Sequence, residues 1–265
     1  MDNIVVTGKS GAGKQPRIDV LTAEFGLTQL STGNIFRHYL GVYKKLGHNK
    51  TPESYWDTSK NNFVDDAIIQ ADLESLCQQQ SVLVQDAILG LKAARFVDAG
   101  LFVPDTITNQ LFEADFTKHK GRGLILDGYP RTPEQSRFLL QLNARFGTRI
   151  DAILLVDNDD EAIVARTIGR RICPSCQKVY HLEFKPPKEG RFCTACGAEV
   201  ILRSDDTEEK IRTRLAEFQV KTRPAIDVLQ QANIPLVVVP GNLPVFTEQA
   251  VRESVLEALG KLSKN

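Results

Sequence analysis

The stretch Asn3-Ile4-Val5-Val6-Thr7-Gly8-Lys9-Ser10-Gly11-Ala12-Gly13-Lys14 decides the fold. Residues 3–7 are a short β-branched run that stops at Gly8, and residues 18–25, beyond the glycine-rich loop, carry a helical pattern. Strand, loop and helix are therefore predicted in that order. Small residues in the loop let successive backbone N–H groups wrap a polyphosphate, while Lys14 supplies a point charge. A glycine-rich turn with a solvated lysine is the bland alternative, and the strand before and helix after weigh against it. The Ser or Thr expected after the lysine is missing, since Gln15, Pro16 and Arg17 stand there.

Outward from that loop, strands are predicted at 124–126, 152–156 and 235–239, apolar on both faces and separated by helical stretches. This is the pattern of a parallel sheet covered by helices, so the fold class is α/β. Two regions break the rhythm. Residues 40–86 are polar, with a predicted helix over 63–79 whose Phe63, Ala67, Ile68, Ala71 and Leu76 share a face, and residues 172–202 carry four cysteines among prolines and glycines. Both read as inserted units, and the tail over 248–261 reads as a closing amphipathic helix. At 265 residues, one core with excursions is expected.

Lys plus Arg number 33 and Asp plus Glu number 33, which leaves no global field to hold a polyanion, so phosphate binding is local and no nucleic-acid partner is expected. The longest apolar runs are too short to span a bilayer and Met1-Asp2-Asn3 lacks a basic start, so a cytoplasmic protein without a membrane partner is expected.

Leu30-Ser31-Thr32-Gly33-Asn34-Ile35-Phe36-Arg37 follows the first helix, and Asp127-Gly128-Tyr129-Pro130-Arg131-Thr132 with Gln135 follows a later strand. Gly169-Arg170-Arg171 and Leu202-Arg203-Ser204-Asp205-Asp206 flank the cysteines. With the loop, these motifs resemble the adenylate kinases, P-loop enzymes that interconvert ATP plus AMP with two ADP, in the right order over nearly the whole chain. The resemblance implies a P-loop NTPase-like sheet with a core at residues 1–30, 104–168 and 207–265. It further implies an NMP-binding subdomain at 31–103, enlarged by an insertion at about 40–86, and a lid at 169–206.

Phosphoryl transfer between two nucleotides gathers negative charge, and the protein's work is to position reactants and surround them with cations. Arginine forks suit that task. By the resemblance, Lys14, Asp127, Arg131, Arg170, Arg203 and Arg214 form the catalytic set, with Asp127 beside Mg2+, where a carboxylate can hold the ion's water ligands. The AMP site would comprise Thr32, Arg37, Gly128, Arg131, Gln135, Arg203 and Arg214 with backbone at Leu101, Phe102 and Val103. The side-chain amide of Gln135 can accept from the adenine amino group and donate to a ring nitrogen, which favours AMP. For ATP the resemblance implies Gly11, Ala12, Gly13, Lys14, Gln15, Pro16 and Arg170 at the phosphates, Arg166 against the adenine, and Tyr180 and Leu243 near it.

Cys173-Pro174-Ser175-Cys176 and Cys193-Thr194-Ala195-Cys196, with sixteen residues between the pairs, have the spacing of a structural Zn2+ site, two thiolates from each knuckle. Four cysteines leave the ion no open position, so the zinc would staple a lid too small for its own core. Cys77 is expected to be a buried small hydrophobe.

The sequence departs from the family in three places. The insertion needs something to pack on, with its own subdomain favoured over a neighbouring subunit and a monomer expected. Asn34 replaces the usual aspartate, and Gln15-Pro16 removes a phosphate contact, so a working kinase with impaired ATP affinity is expected, with Arg17 reaching a phosphate oxygen. The competing readings are a nucleotide sensor without catalysis, a kinase for another nucleoside monophosphate, and a zinc-ribbon nucleic-acid binder, which the zero net charge disfavours.

Overall fold

The computed structural model describes residues 1–176, 178–183, 185–202 and 206–260. The chain opens with β1 (Asn3–Thr7), α1 (Lys14–Phe25), β2 (Thr28–Ser31) and α2 (Thr32–Lys45). The hairpin of β3 (Trp56–Asp57) and β4 (Asn62–Phe63) precedes α3 (Asp66–Gln79), α4 (Val84–Asp98) and α5 (Asp105–Lys118). Then come β5 (Leu124–Asp127), α6 (Pro133–Phe146), β6 (Ile150–Asp157) and α7 (Asp160–Ile168), followed by the short antiparallel pair β7 (Arg170–Ile172) and β8 (Val179–His181). The chain closes with α8 (Glu208–Glu217), α9 (Arg223–Gln231), β9 (Leu236–Pro240) and α10 (Glu248–Gly260).

Five strands make one parallel sheet in the order β2-β5-β1-β6-β9. Successive side chains of a strand face opposite ways, so each strand feeds two cores. Val5, Leu124, Leu126, Ile153 and Leu155 join a cluster with Phe112, Phe116, Leu139 and Ile226 of α5, α6 and α9. Ile4, Val6, Ile125, Ala152, Leu154 and Val156 join the opposite one, with Ile18, Leu21, Ile163, Ile211 and Val255 of α1, α7, α8 and α10. Burial on both faces is why these strands read as unbroken apolar runs. The expected parallel α/β sheet is present, and β2 adds an edge strand that was read only as part of a motif. The loop after β1 opens at the C-terminal edge of the sheet between β5 and β6, where strand order reverses and ligands of such sheets bind.

The insertion differs from expectation at its border and in its face. No break occurs at residue 40, because α2 runs on to Lys45 and its Tyr43 joins the insertion's core. The inward residues of α3 are Ile69, Leu73 and Cys77, whereas Ile68 is 55% exposed and Phe63 lies in the hairpin. The apolar face was read one residue early; the i, i+4, i+8 row is the one that meets Ile88, Leu91 and Ala94 of α4. This cluster joins the insertion's residues to Ala87, Ile88, Leu91 and Ala94 of α4 within one chain, with Cys77 buried in it as expected. No helix among the described residues is long and apolar enough to cross a membrane.

Candidate active site

The phosphate loop is pinned from both sides. Gly8 has φ +147°, and a Cβ there would come within 2.4 Å of the Val156 carbonyl oxygen, so only glycine lets the loop lie this close to β6. Ala12 is buried and donates its backbone N–H to the Lys9 carbonyl at 3.1 Å, which shapes the turn and takes that donor away from a ligand. Lys14 opens α1 and its Nζ donates to the carbonyls of Gly8 (3.1 Å) and Lys9 (3.3 Å), so the ammonium arches over the loop. Desolvation lowers its pKa to about 8, against the raising pull of Asp127, and Arg131 and Arg170 push it further down. Lys14 thus sits among two arginines and one aspartate, a locally positive cluster.

Pro16 sits in the first turn of α1, where no intrahelical partner for an N–H exists, so the helix tolerates it. The side chain of Gln15 turns outward, donating to Asp19 at 2.9 Å and pairing with Gln29, and Gln29 donates to Asp127 Oδ2 at 2.9 Å. Gln15 therefore buttresses the carboxylate side of the site through a second amide. Arg17 does not reach the phosphate side. It is wholly buried beneath the loop, where its guanidinium donates to the carbonyls of Gly13 (3.2 Å) and Pro240 (2.5 Å), because position 17 falls on the inward face of α1.

Beside the loop, Thr32 donates its hydroxyl to the carbonyls of Asp127 (3.2 Å) and Gly128 (3.0 Å), which ties the start of α2 to the end of β5. A Cβ on Gly128, at φ +75°, would meet Thr32 Oγ1 at 2.7 Å and an Arg131 nitrogen at 2.9 Å. Arg131 donates from Nε to the Gly128 carbonyl at 2.8 Å, and burial lowers its pKa against the opposing pull of Asp127 and Glu217. Gln135 is nearly buried in the first turn of α6, which Thr132 caps by accepting from the Gln135 backbone N–H. Arg37 donates to the Asn34 side chain, so Asn34 holds that arginine without adding a negative charge.

Of these residues, Gly8, Lys14, Thr32, Gly128, Arg131 and Gln135 line one cavity of about 730 Å³ together with Arg214, whereas Arg37 and Asp127 are not among its lining residues. Leu101, Phe102 and Val103 form part of its wall, and Lys221 Nζ lies 3.7 Å from the centre of the Phe102 ring. Ser10 of the quoted loop also lines the cavity, and the sequence reading missed Asp105, Glu217 and Lys221, which line it too. Asp105 alone had a signal, an acidic residue after proline at a helix start.

Of the other expected residues, Arg170, Arg166, Leu243 and Tyr180 are not among the residues that line this cavity. Arg170 forks onto the buried Asp206 carboxylate with bonds of 2.8 and 2.5 Å, and Arg214 approaches the same carboxylate at 3.5 Å. Arg166 lies beside Gly13, donates to the Gly241 carbonyl at 3.4 Å and sits 5.6 Å from the Phe246 ring centre, while Leu243 is half-buried in the same loop after β9. Tyr180 does not line this cavity. It is 2% exposed inside the cysteine knuckles, donating to Cys193 Sγ at 3.1 Å, because the lid core needs its ring. Arg203 lies outside the described residues.

Cys173, Cys176, Cys193 and Cys196 bring their sulfurs within 4.8 Å of one another. A tetrahedron with Zn–S near 2.3 Å needs sulfurs roughly 3.8 Å apart, so the set fits that ion. The Tyr180 hydroxyl, with backbone N–H groups, lowers the Cys193 pKa and favours its thiolate.

Residues 76–234 match the adenylate kinase family model. The chain belongs to the adenylate kinase family. It is 33% identical over 233 residues to an adenylate kinase of Symbiobacterium thermophilum, covering 88% of each chain. It is 31% identical to that of Acholeplasma laidlawii over 97% of each chain, and 33% identical to that of Salinispora tropica over 84% of each. As a nucleoside monophosphate kinase it has one conspicuous local oddity, the Gln15-Pro16 pair, whose side chains the structure accommodates without moving Lys14 off the loop.

Proposed function

We propose that the enzyme transfers the terminal phosphoryl of ATP directly to AMP in this cavity, and that the residues above divide the work. The observation that carries the reading is that Lys14, Arg131 and Gln135 line one cavity, so phosphate cations and an adenine-reading amide serve the same space. Lys14 and the loop backbone hold the donor phosphates, while Thr32, Arg37 and Arg131 hold the acceptor phosphate near them. Arg170, Arg203 and Arg214 close on the transferring group, where arginines contribute about 10³ to 10⁵ in rate. For Arg170 and Arg214 this requires exchanging Asp206 for phosphate. Arg166 and Leu243 border the donor base. Closure of residues 31–103 and 169–206 over the core excludes water, which would otherwise accept the phosphoryl group.

Mg2+ accompanies ATP in this reading; Asp127, steadied by Gln29, would hold its water ligands. Zn2+ on the four cysteines would supply folding energy to the lid and no chemistry. A monomer working in the cytoplasm, with ATP, AMP and ADP as its small-molecule partners and neither nucleic acid nor membrane, completes the proposal.

The test is ADP formation from ATP with AMP, GMP, CMP or UMP, with and without magnesium. Magnesium-dependent ADP production with AMP foremost, lost in Lys14→Ala, is expected. Binding of ATP and AMP with no ADP above the Lys14→Ala background would favour the sensor.

A further inference from the structure

The amide of Gln135 is not free to choose how it faces a base. Its Oε1 accepts the Arg131 backbone N–H at 2.8 Å, and its Nε2 donates to Asp105 Oδ1 at 2.7 Å. The other Asp105 oxygen accepts the Thr132 hydroxyl at 2.7 Å, and Asp105 itself begins α5. A backbone N–H only donates and a carboxylate only accepts, so the two partners fix which end of the amide is oxygen. Flipping it would set oxygen against carboxylate and N–H against N–H.

What remains of the amide is one lone pair on Oε1 and one N–H on Nε2. Asp105, Thr132 and Gln135 all line the cavity. In this fixed polarity the pair matches an adenine edge, whose exocyclic amine donates and whose ring nitrogen accepts. A guanine edge presents the reverse, an exocyclic oxygen that accepts and a ring N–H that donates. An unanchored glutamine could serve either base by turning over; an anchored one cannot.

We infer that Asp105 is a specificity-determining residue: by holding the Gln135 amide in one polarity, it makes the acceptor site reject guanine monophosphate. The inference rests on the functional reading above. Asp105 acts through Gln135 and is a positioning residue.

The experiment compares kcat/KM for AMP and for GMP, at saturating ATP, in wild type, Asp105→Asn, Thr132→Val and Thr132→Ser. Asparagine is isosteric and can itself turn to donate to a flipped Gln135, so the GMP-to-AMP ratio should rise about tenfold, the weight of one charge-assisted hydrogen bond. The ratio does not depend on the fraction of enzyme folded. Thr132→Val, which loses a donor to Asp105, should raise the ratio less, and Thr132→Ser, which keeps it, should restore the wild-type value. ADP formation from AMP with an unchanged ratio in Asp105→Asn overturns the inference alone. No ADP from AMP in wild type overturns the functional reading and the inference with it.

Discussion

Lys14 shows how a single side chain reports its surroundings. Its pKa is lowered to about 8, chiefly by burial, so the ammonium proposed to hold the donor phosphates begins to lose its proton at mildly alkaline pH. In the free enzyme the charged form prevails below that value and disappears above it. The expected outcome is a kcat/KM for ATP that declines above about pH 8, while kcat holds to higher pH because bound phosphate stabilises the cation. A profile for kcat/KM that stays flat through two further pH units would show that Lys14 keeps its charge. The loop and Lys14 were legible because their chemistry is local: consecutive small residues, then a cation, between a strand and a helix. Arg17 was misjudged because its role depends on which face of α1 it occupies, and Pro240, its hydrogen-bond partner, lies 223 positions away.

At the scale of one element, the lid is the clearest case of a structure whose sequence leaves its stability to something else. Among the described residues its apolar cluster is Cys173, Tyr180, Cys193 and Val200, with Ala198 beside them, little to hold such a unit on hydrophobic burial alone. Elemental analysis of protein purified without chelator is therefore expected to give one zinc per chain. Cys193→Ser should lower the temperature at which the lid loosens, read by proteolysis within it, before it changes the unfolding of the sheet; equal zinc and equal protease resistance in the variant would refute the metal reading. The knuckles were legible from spacing. The place of Tyr180 was not, since the same position suits either an adenine or a thiolate until the fold shows which lies nearer. For α3, periodicity gave a helix but the wrong row, because Ala67, Ile68 and Ala71 are apolar enough to compete with Ile69, Leu73 and Cys77, and only the packing against α4 decides between them.

For the whole molecule, the sheet was legible because burial on both faces removes polar residues from its strands, and the helices of residues 31–103 were legible where they carry a motif or, for α3, an apolar period. Ile35 and Tyr39 of α2 and Ala93 and Phe96 of α4 belong to the same cluster as Val5 and Leu124 of the sheet. These helices should therefore unfold with the sheet in one main calorimetric transition; a separate earlier transition for residues 31–103 would show that their packing is weaker than the shared cluster indicates. The same α2 places Thr32 against β5 at one end and Tyr43 in the insertion's core at the other. Its fourteen residues span about 21 Å. With Thr32 in the proposed acceptor site, α2 would act as a lever hinged there, so a few degrees of rocking becomes a displacement of about an ångström at the insertion. A spectroscopic probe placed at that far end would read acceptor binding without touching the site.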